Sequence, residues 1–206
     1  MISQNDIKFS GLKHGLYVVS TPIGNLADIT LRAIDVLKNS EYILCEDTRV
    51  SKKLLFYYEI NKKIISYHKF NEKKKSEEII NIINKGSLVS LISDAGTPTI
   101  SDPGKILIKK CIEENIKIIP IPGASSVITS ISISGFSDQF YFHGFLSDTN
   151  NSIKKEFEFF KSLNCSVIFF ISAQKLNKKL DLFKDFFSQR EILICRELTK
   201  YHESFY

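Results

Sequence analysis

The sequence lacks the short signatures that would name a chemistry at once. Neither GxGxxG nor GxxxxGK[ST] occurs in its 206 residues, so a dinucleotide or a nucleoside triphosphate has no pyrophosphate cradle of the usual kind. His14, His68, His143 and His202 show no HxxxH or HExxH spacing, and no metal site is expected. Cys45, Cys111, Cys165 and Cys195 form no CxxC pair, and three of them sit in or beside apolar runs. A reduced thiol there behaves as a small hydrophobe, which points to a reducing compartment and structural cysteines. Long apolar runs are also missing: none approaches the roughly eighteen residues that suggest a membrane span. The N-terminal MISQNDIKFSGLKHG has no basic-then-apolar signal-peptide plan. The expectation is a cytoplasmic protein with no membrane segment.

What is present is enough apolar material for a real core. At 43% hydrophobic residues the chain fits one large domain or two small ones. Lys and Arg outnumber Asp and Glu by 28 to 23, for a net charge of +5. That excess hints at a polyanionic partner without establishing nucleic-acid binding, and the abundance of Lys, Asn and Ile also matches the codon bias of an AT-rich genome.

Apolar runs alternate with amphipathic stretches through the first half: GLYVVS, DITLRAIDVLKNS, EYILCE, TRVSKKLLFYYEI, KIISYH, SEEIINIINKG, SLVSLIS, DPGKILIKKCIEEN, IKIIPI and SSVITSISISG. This βαβα order predicts a parallel sheet flanked by helices. Ile29, Ala33, Val36 and Leu37 share one helical face that should pack on the sheet. Gly86 suits a helix C-cap, and Asp102-Pro103 suits an N-cap followed by an N1 proline. The KFNEKKKSEE cluster at 69–78 reads as a solvated helix start or as a phosphate contact.

The character changes near Gly135, where an aromatic, turn-rich segment precedes two further helix-strand units. Two lobes are predicted, 1–135 and 136–206, the second being a mixed α/β unit with a more antiparallel sheet. Within it Phe136, Phe140, Tyr141, Phe142 and Phe145 suit core packing or base stacking, with strand alternation favouring core for half of them.

Four loops follow apolar runs: TPIGN at 21–25, EDTR at 46–49, SDAGTPTISDPG at 93–104 and PGASS at 122–126. Ligands of open parallel sheets bind at the carboxyl ends of strands, and all four loops should open on that one edge. Any one of them alone is ordinary turn composition. Together they describe a pre-organised rim, because glycine admits a ligand close to the backbone and proline limits relaxation. Asp94 and its neighbouring backbone would suit a ligand bearing a ribose, an amino group and a cationic centre, all of which S-adenosylmethionine has.

The strings LYVVSTPIGNLADITLRAIDVL, CEDTR, SDAGTPTISDPG, IPGASSVITSISISG, FYFHGFL and CRELTKYHES closely resemble the small-subunit ribosomal RNA (cytidine 2′-O) methyltransferases of the tetrapyrrole methylase superfamily, from about Gly15 to Tyr206. The resemblance implies a two-lobed α/β enzyme: an N-terminal parallel sheet with flanking helices, a C-terminal mixed α/β lobe, S-adenosylmethionine bound between them, and a homodimer. It implies a cofactor set of Ile23, Gly24, Asp94, Gly96, Thr97, Ser125, Ser126, Ile171 and Ser172. Ser125 and Ser126 also open a helix-like run, a place suited to receive a carboxylate. The implied substrate is the small ribosomal subunit and its 16S rRNA.

For transfer to a ribose hydroxyl, Asp47 or Glu197 is expected to orient or deprotonate the 2′-OH, with Arg49, Arg196 and Lys200 on phosphates; an ion pair of Arg49 or Arg196 with a carboxylate across the cleft between lobes is the structural alternative. His143 suits a strand cap or a contact with the cofactor. The sequence departs from the resemblance after HGFL, where SDTNNSIKK delays the basic residues, and at FFISAQKL. It also ends at HESFY, so the second lobe is expected to be truncated. Methylation of a tetrapyrrole carbon and a non-catalytic role in ribosome assembly stay open beside the RNA reading.

Overall fold

A computed structural model describes residues 11–206; the N-terminal segment on which the signal-peptide expectation rests lies largely outside them. The chain forms two compact units, Met1–Ser125 and Ser126–Tyr206. This division falls after the first serine of the SSVITSISISG segment, whereas the sequence reading set it at the end of that segment.

In the first unit, β1 (Gly15–Val19), β2 (Tyr42–Cys45), β3 (Lys63–Ser66), β4 (Leu88–Leu91) and β5 (Ile118–Ile121) form one sheet in the order β3-β2-β4-β1-β5. Every pairing in it is parallel. Alternation along the strands supplies both faces. Tyr17, Val19, Ile43 and Cys45 meet Ala33, Val36 and Leu37 of α1 (Leu31–Asn39) and Leu55 of α2 (Thr48–Tyr57). Leu16, Leu44, Val89 and Leu91 meet Ile79, Ile80 and Ile83 of α3 (Glu72–Asn84) and Leu107 and Cys111 of α4 (Lys105–Glu113). Ile29 packs at the edge of the first cluster, so the expected apolar face of α1 does lie on the sheet.

Helix starts follow side-chain capping. Thr30 accepts from the Ala33 amide at 3.1 Å and Asp47 from the Arg49 amide at 2.8 Å. Gly86, with φ of 101°, follows the end of α3 as expected. The expected cap at Asp102-Pro103 is not formed. Gly104, with φ of 128°, holds the N-cap position of α4, and its amide donates to Glu72 Oε2 at 3.3 Å. Asp102 is half-buried among other carboxylates instead of capping.

The second unit contains α5 (Ser126–Ser134), β6 (Phe140–Phe145), α6 (Asn150–Ser162), β7 (Ser166–Phe170), α7 (Ala173–Phe187) and the two-residue strands β8 (Cys195–Arg196) and β9 (Ser204–Phe205). β6 and β7 pair in parallel, so the main sheet here is not antiparallel. Only the short β8–β9 pair is. The crossover from β6 through α6 to β7 accounts for this, since a helix between two strands favours parallel pairing. The core is aromatic: Phe157, Phe160, Phe183 and Phe187, with Leu146 and Ile153. Of the five aromatics in the Phe136–Phe145 segment, Tyr141 packs against that core while Phe136, Phe140 and Phe145 are exposed. No described helix is long and apolar enough to cross a membrane.

Candidate functional site

Because every strand of the five-stranded sheet is parallel, all the strand-end loops gather on one edge. The chain leaves β1 towards α1 on one face and β4 towards α4 on the other, and β1 and β4 are neighbours. Their carboxyl ends therefore form the switch point at which open α/β sheets receive ligands.

The loops there are joined to one another. Thr21 and Gly96 exchange backbone hydrogen bonds at 2.9 and 3.0 Å, and Thr21 Oγ1 donates to Ser93 O at 3.2 Å. The Ser20 and Thr97 hydroxyls lie 3.0 Å apart, and Thr97 Oγ1 donates to Ala124 O at 3.2 Å. The Asp47 amide donates to Asp94 Oδ1 at 3.1 Å, which ties the EDTR loop to the SDAGTP loop. A Cβ on Gly123 would stand 2.9 Å from Ser20 Cβ, so glycine is required for that close approach. Thr99 and Ser101 hold positive φ of 70° and 68°, conformations that non-glycine residues keep only where the surroundings impose them.

Beside the switch point lies an open depression of about 410 Å³ lined by Glu46, Asp47, Thr48, Arg49, Ser66, His68, Phe70 and Asp94. Arg49 binds the Asp47 carboxylate with two nitrogens, the shortest contact being 2.6 Å. These hydrogen bonds hold the Asp47 carboxyl down at about 2, which makes it a weak base. Arg49 thus pairs with a carboxylate of its own EDTR loop, which is not the interlobe partner expected as the alternative. Burial, reinforced by Asp94, pushes the Glu46 carboxyl up. Burial, then Glu46, pushes Asp102 up to about 6. The fold therefore sets neighbouring carboxylates apart in proton affinity, a division of labour suited to proton transfer.

His68 and Phe70 are not among the site residues expected from the sequence. The signal that could have found them is positional: they follow β3 and so stand on the same sheet edge as the four loops. Asn71 orients His68. Its Oδ1 accepts from the His68 amide at 2.9 Å, while its Nδ2 donates to Ser66 O at 3.1 Å and faces His68 Nε2 at 3.2 Å. The other ring nitrogen, Nδ1, is buried without a hydrogen-bond partner.

Of the expected cofactor residues, Ile23, Gly24, Asp94, Gly96, Thr97 and Ser125 belong to the first unit's loops, and a Cβ on Gly96 would lie 3.2 Å from Ile23 Cγ2. Ser126 opens α5, Ile171 follows β7, and Ser172 caps α7 by accepting from the Lys175 amide at 3.3 Å. Arg196, Glu197 and Lys200 are exposed in the second unit, where the Lys200 amide donates to Glu197 O at 2.9 Å. His143 Nε2 lies 3.3 Å from Glu156 Oε1, and the same carboxylate accepts from the Ser147 hydroxyl at 2.5 Å. Among the described residues no group of three or more His, Cys, Asp or Glu could hold a metal ion, and all four cysteines are free.

A parallel α/β sheet with ligand-receiving loops gathered at its switch point is the class that fold and site define. The family model described as Tetrapyrrole (Corrin/Porphyrin) Methylases matches residues 15–206, and the chain belongs to this family, whose methyltransferases use S-adenosylmethionine. A relative from Rickettsia prowazekii (strain Madrid E), named ribosomal RNA small subunit methyltransferase I, is 50% identical over 193 residues, covering 93% of this chain and 69% of that protein. A protein of the same name from Mesomycoplasma conjunctivae is 48% identical over 191 residues, covering 92% of this chain and 80% of its own. Among solved structures, diphthine synthase shares the fold with a TM-score of 0.64 at 13% identity, over 92% of this chain and 80% of that one. Uroporphyrin-III-C-methyltransferase from Thermus thermophilus gives 0.60 at 14% identity, over 93% and 83%.

Proposed function

We propose that this chain transfers a methyl group from S-adenosylmethionine to the 2′-hydroxyl of a cytidine in the 16S RNA of the small ribosomal subunit. The names borne by relatives of 50% and 48% identity support the acceptor. The observation that carries the reading in the structure is the bond from the Asp47 amide to Asp94, which couples the loop suited to the cofactor directly to the acceptor-side depression. Such coupling matters because an in-line displacement gains much of its rate from holding two reactants in register.

S-adenosylmethionine supplies an electrophilic methyl group on a sulfonium centre. The residues available fit it: the Asp94 carboxylate suits ribose hydroxyls or the amino group, and the hydrogen-bonded loops carrying Ile23, Gly24, Gly96, Thr97 and Ser125 present backbone groups in a fixed arrangement. Ser126, Ile171 and Ser172 are proposed on the resemblance alone, as are Glu197 as a catalytic group and Arg196 and Lys200 as phosphate contacts. On the acceptor side, Glu46 is the better proton acceptor and Asp47 the better positioning group, because Arg49 keeps Asp47 ionised. Arg49, with 87% of its side chain exposed, can meet a phosphate while paired. The proposal includes a cytoplasmic homodimer.

The test is transfer of labelled methyl from S-adenosylmethionine to small subunits that lack the modification, with mass spectrometry of the RNA. Label on a cytidine ribose supports the reading. Label on a porphyrinoid supplied in its place supports tetrapyrrole methylation, and calorimetric cofactor uptake without transfer supports an assembly role. Asp94→Ala should lower cofactor affinity roughly tenfold or more, the loss of a charge-assisted hydrogen bond, with the circular dichroism unchanged. Sedimentation reports the dimer.

A further inference from the structure

The depression carries charges of both signs. Its lining holds three carboxylates, Glu46, Asp47 and Asp94, alongside Arg49. Lys69, Lys73 and Lys74 are exposed in the segment that runs from β3 into α3. Phosphates are attracted to those cations and repelled from the carboxylates. Against the carboxylates the best-suited group is uncharged and rich in donors, such as a sugar hydroxyl or a base with an exocyclic amine, the group that Glu and Asp accept from on cytosine.

Phe70 stands in this lining with 86% of its surface exposed, outside both core clusters of its unit. Its ring is not left loose. The His68 ring meets it edge-on with centroids 6.0 Å apart, and Lys69 Nζ lies 5.0 Å from its centre. His68 is itself fixed through Asn71, whose amide donates to His68 O at 2.9 Å in addition to the side-chain bonds. An exposed ring, held by its neighbours and accompanied by a cation, is the arrangement by which single-stranded nucleic acid is bound through base stacking. The depression, at about 410 Å³, falls in the range of small-molecule sites.

We infer that this depression receives the base of the target nucleotide, unstacked from the RNA strand, with Phe70 as its stacking platform and His68 as the positioning residue that orients the Phe70 ring. The inference rests on the RNA reading above and adds a base-binding residue to it. Seating the base there brings its own ribose towards the carboxylates of the same depression, by the unstacking that enzymes acting on bases use.

The test uses the full chain, small ribosomal subunits lacking the methyl group, and steady-state transfer, with cofactor uptake measured by calorimetry in parallel. Phe70→Ala should raise KM for subunits roughly tenfold, the effect of losing one stacking contact, while kcat falls less than KM rises and cofactor affinity is kept. Phe70→Trp should return KM to within about twofold of the parent, and Phe70→Leu should not. His68→Ala should raise KM in the same direction by a smaller factor. Transfer by the parent with an unchanged KM in Phe70→Ala overturns this inference alone, as does Phe70→Leu matching Phe70→Trp, since apolar bulk would then suffice. Loss of cofactor affinity in Phe70→Ala also overturns it, by showing a role in the fold. No methyl transfer to subunits by the parent overturns the RNA reading and this inference with it.

Discussion

The two units apply the same βαβ rule at different widths, and the difference separates a platform from a packing unit. Five parallel strands in the first unit bury both faces of their sheet under aliphatic side chains and place five carboxyl ends on one edge. Within its core the Ser40 and Ser90 hydroxyls lie 2.6 Å apart. In the second unit a single parallel pair offers little edge, and order comes from rings. Phe157 lies 4.9 Å from Phe183 and 4.8 Å from Phe187 between ring centroids, and the strand residues of β7 remain partly exposed. Width, rather than helix content, is what lets a parallel sheet gather several loops around one ligand.

The largest expected effect breaks the second unit selectively. Phe157 is fully buried at 0% exposure, and Phe157→Ala should cost about 4 kcal/mol. Hydrogen exchange should then show lost amide protection across Phe140–Phe187, with protection of β1, β4 and β5 retained. Loss of protection in both regions would mean that their cores are not separate. In the first unit, a Cβ on Gly104 would lie 2.6 Å from Leu91 Cδ2 and 2.9 Å from Thr99 Cγ2 at a φ of 128°. Gly104→Ala should cost about 3 kcal/mol by denaturant titration, through overpacking and backbone strain together.

Gly135 sharpens the contrast. Its φ is positive at 67°, but a Cβ would meet nothing within 4 Å, so Gly135→Ala should cost only about 1 kcal/mol, the conformational part alone. The smallest effect concerns pH. Asp102 is held up at about 6 by burial and by Glu46, above the ordinary value of about 4. The native state then binds the extra proton between those values, so this residue makes stability fall as pH rises from about 4 through about 6. Asp102→Asn removes that penalty. After screening it should stabilise the protein by no more than about 1 kcal/mol at pH 8 and leave it unchanged at pH 4. Urea midpoints at the two pH values check this.

Much of the first unit was legible from residue spacing. The continuous apolar run Leu16–Val19 and the helical spacing of Ala33, Val36 and Leu37 identify buried segments without reference to any partner. The second unit was less legible, because an aromatic run such as Phe140–Phe145 satisfies strand, core and surface readings alike, and its parallel pairing depends on the crossover helix. The start of α4 was misread for a related reason. Asp-Pro is a sound local cap signal, but Glu72, distant in sequence, takes the Gly104 amide, and Asp102 bonds to the Ser93 side chain, half-buried beside the like charges of Glu46 and Asp94.

The order of elements and the one shared edge for the strand-end loops follow from the sequence alone, because hydrophobic periodicity and turn composition are local properties of the chain. Which loops bond to which, the pairing that lowers the Asp47 carboxyl while burial raises its neighbour Glu46, and the meeting of His68, Phe70 and Asp94 in one depression were decided only in three dimensions. The physical reason is that proton affinity and recognition depend on distance and burial between residues the chain holds far apart.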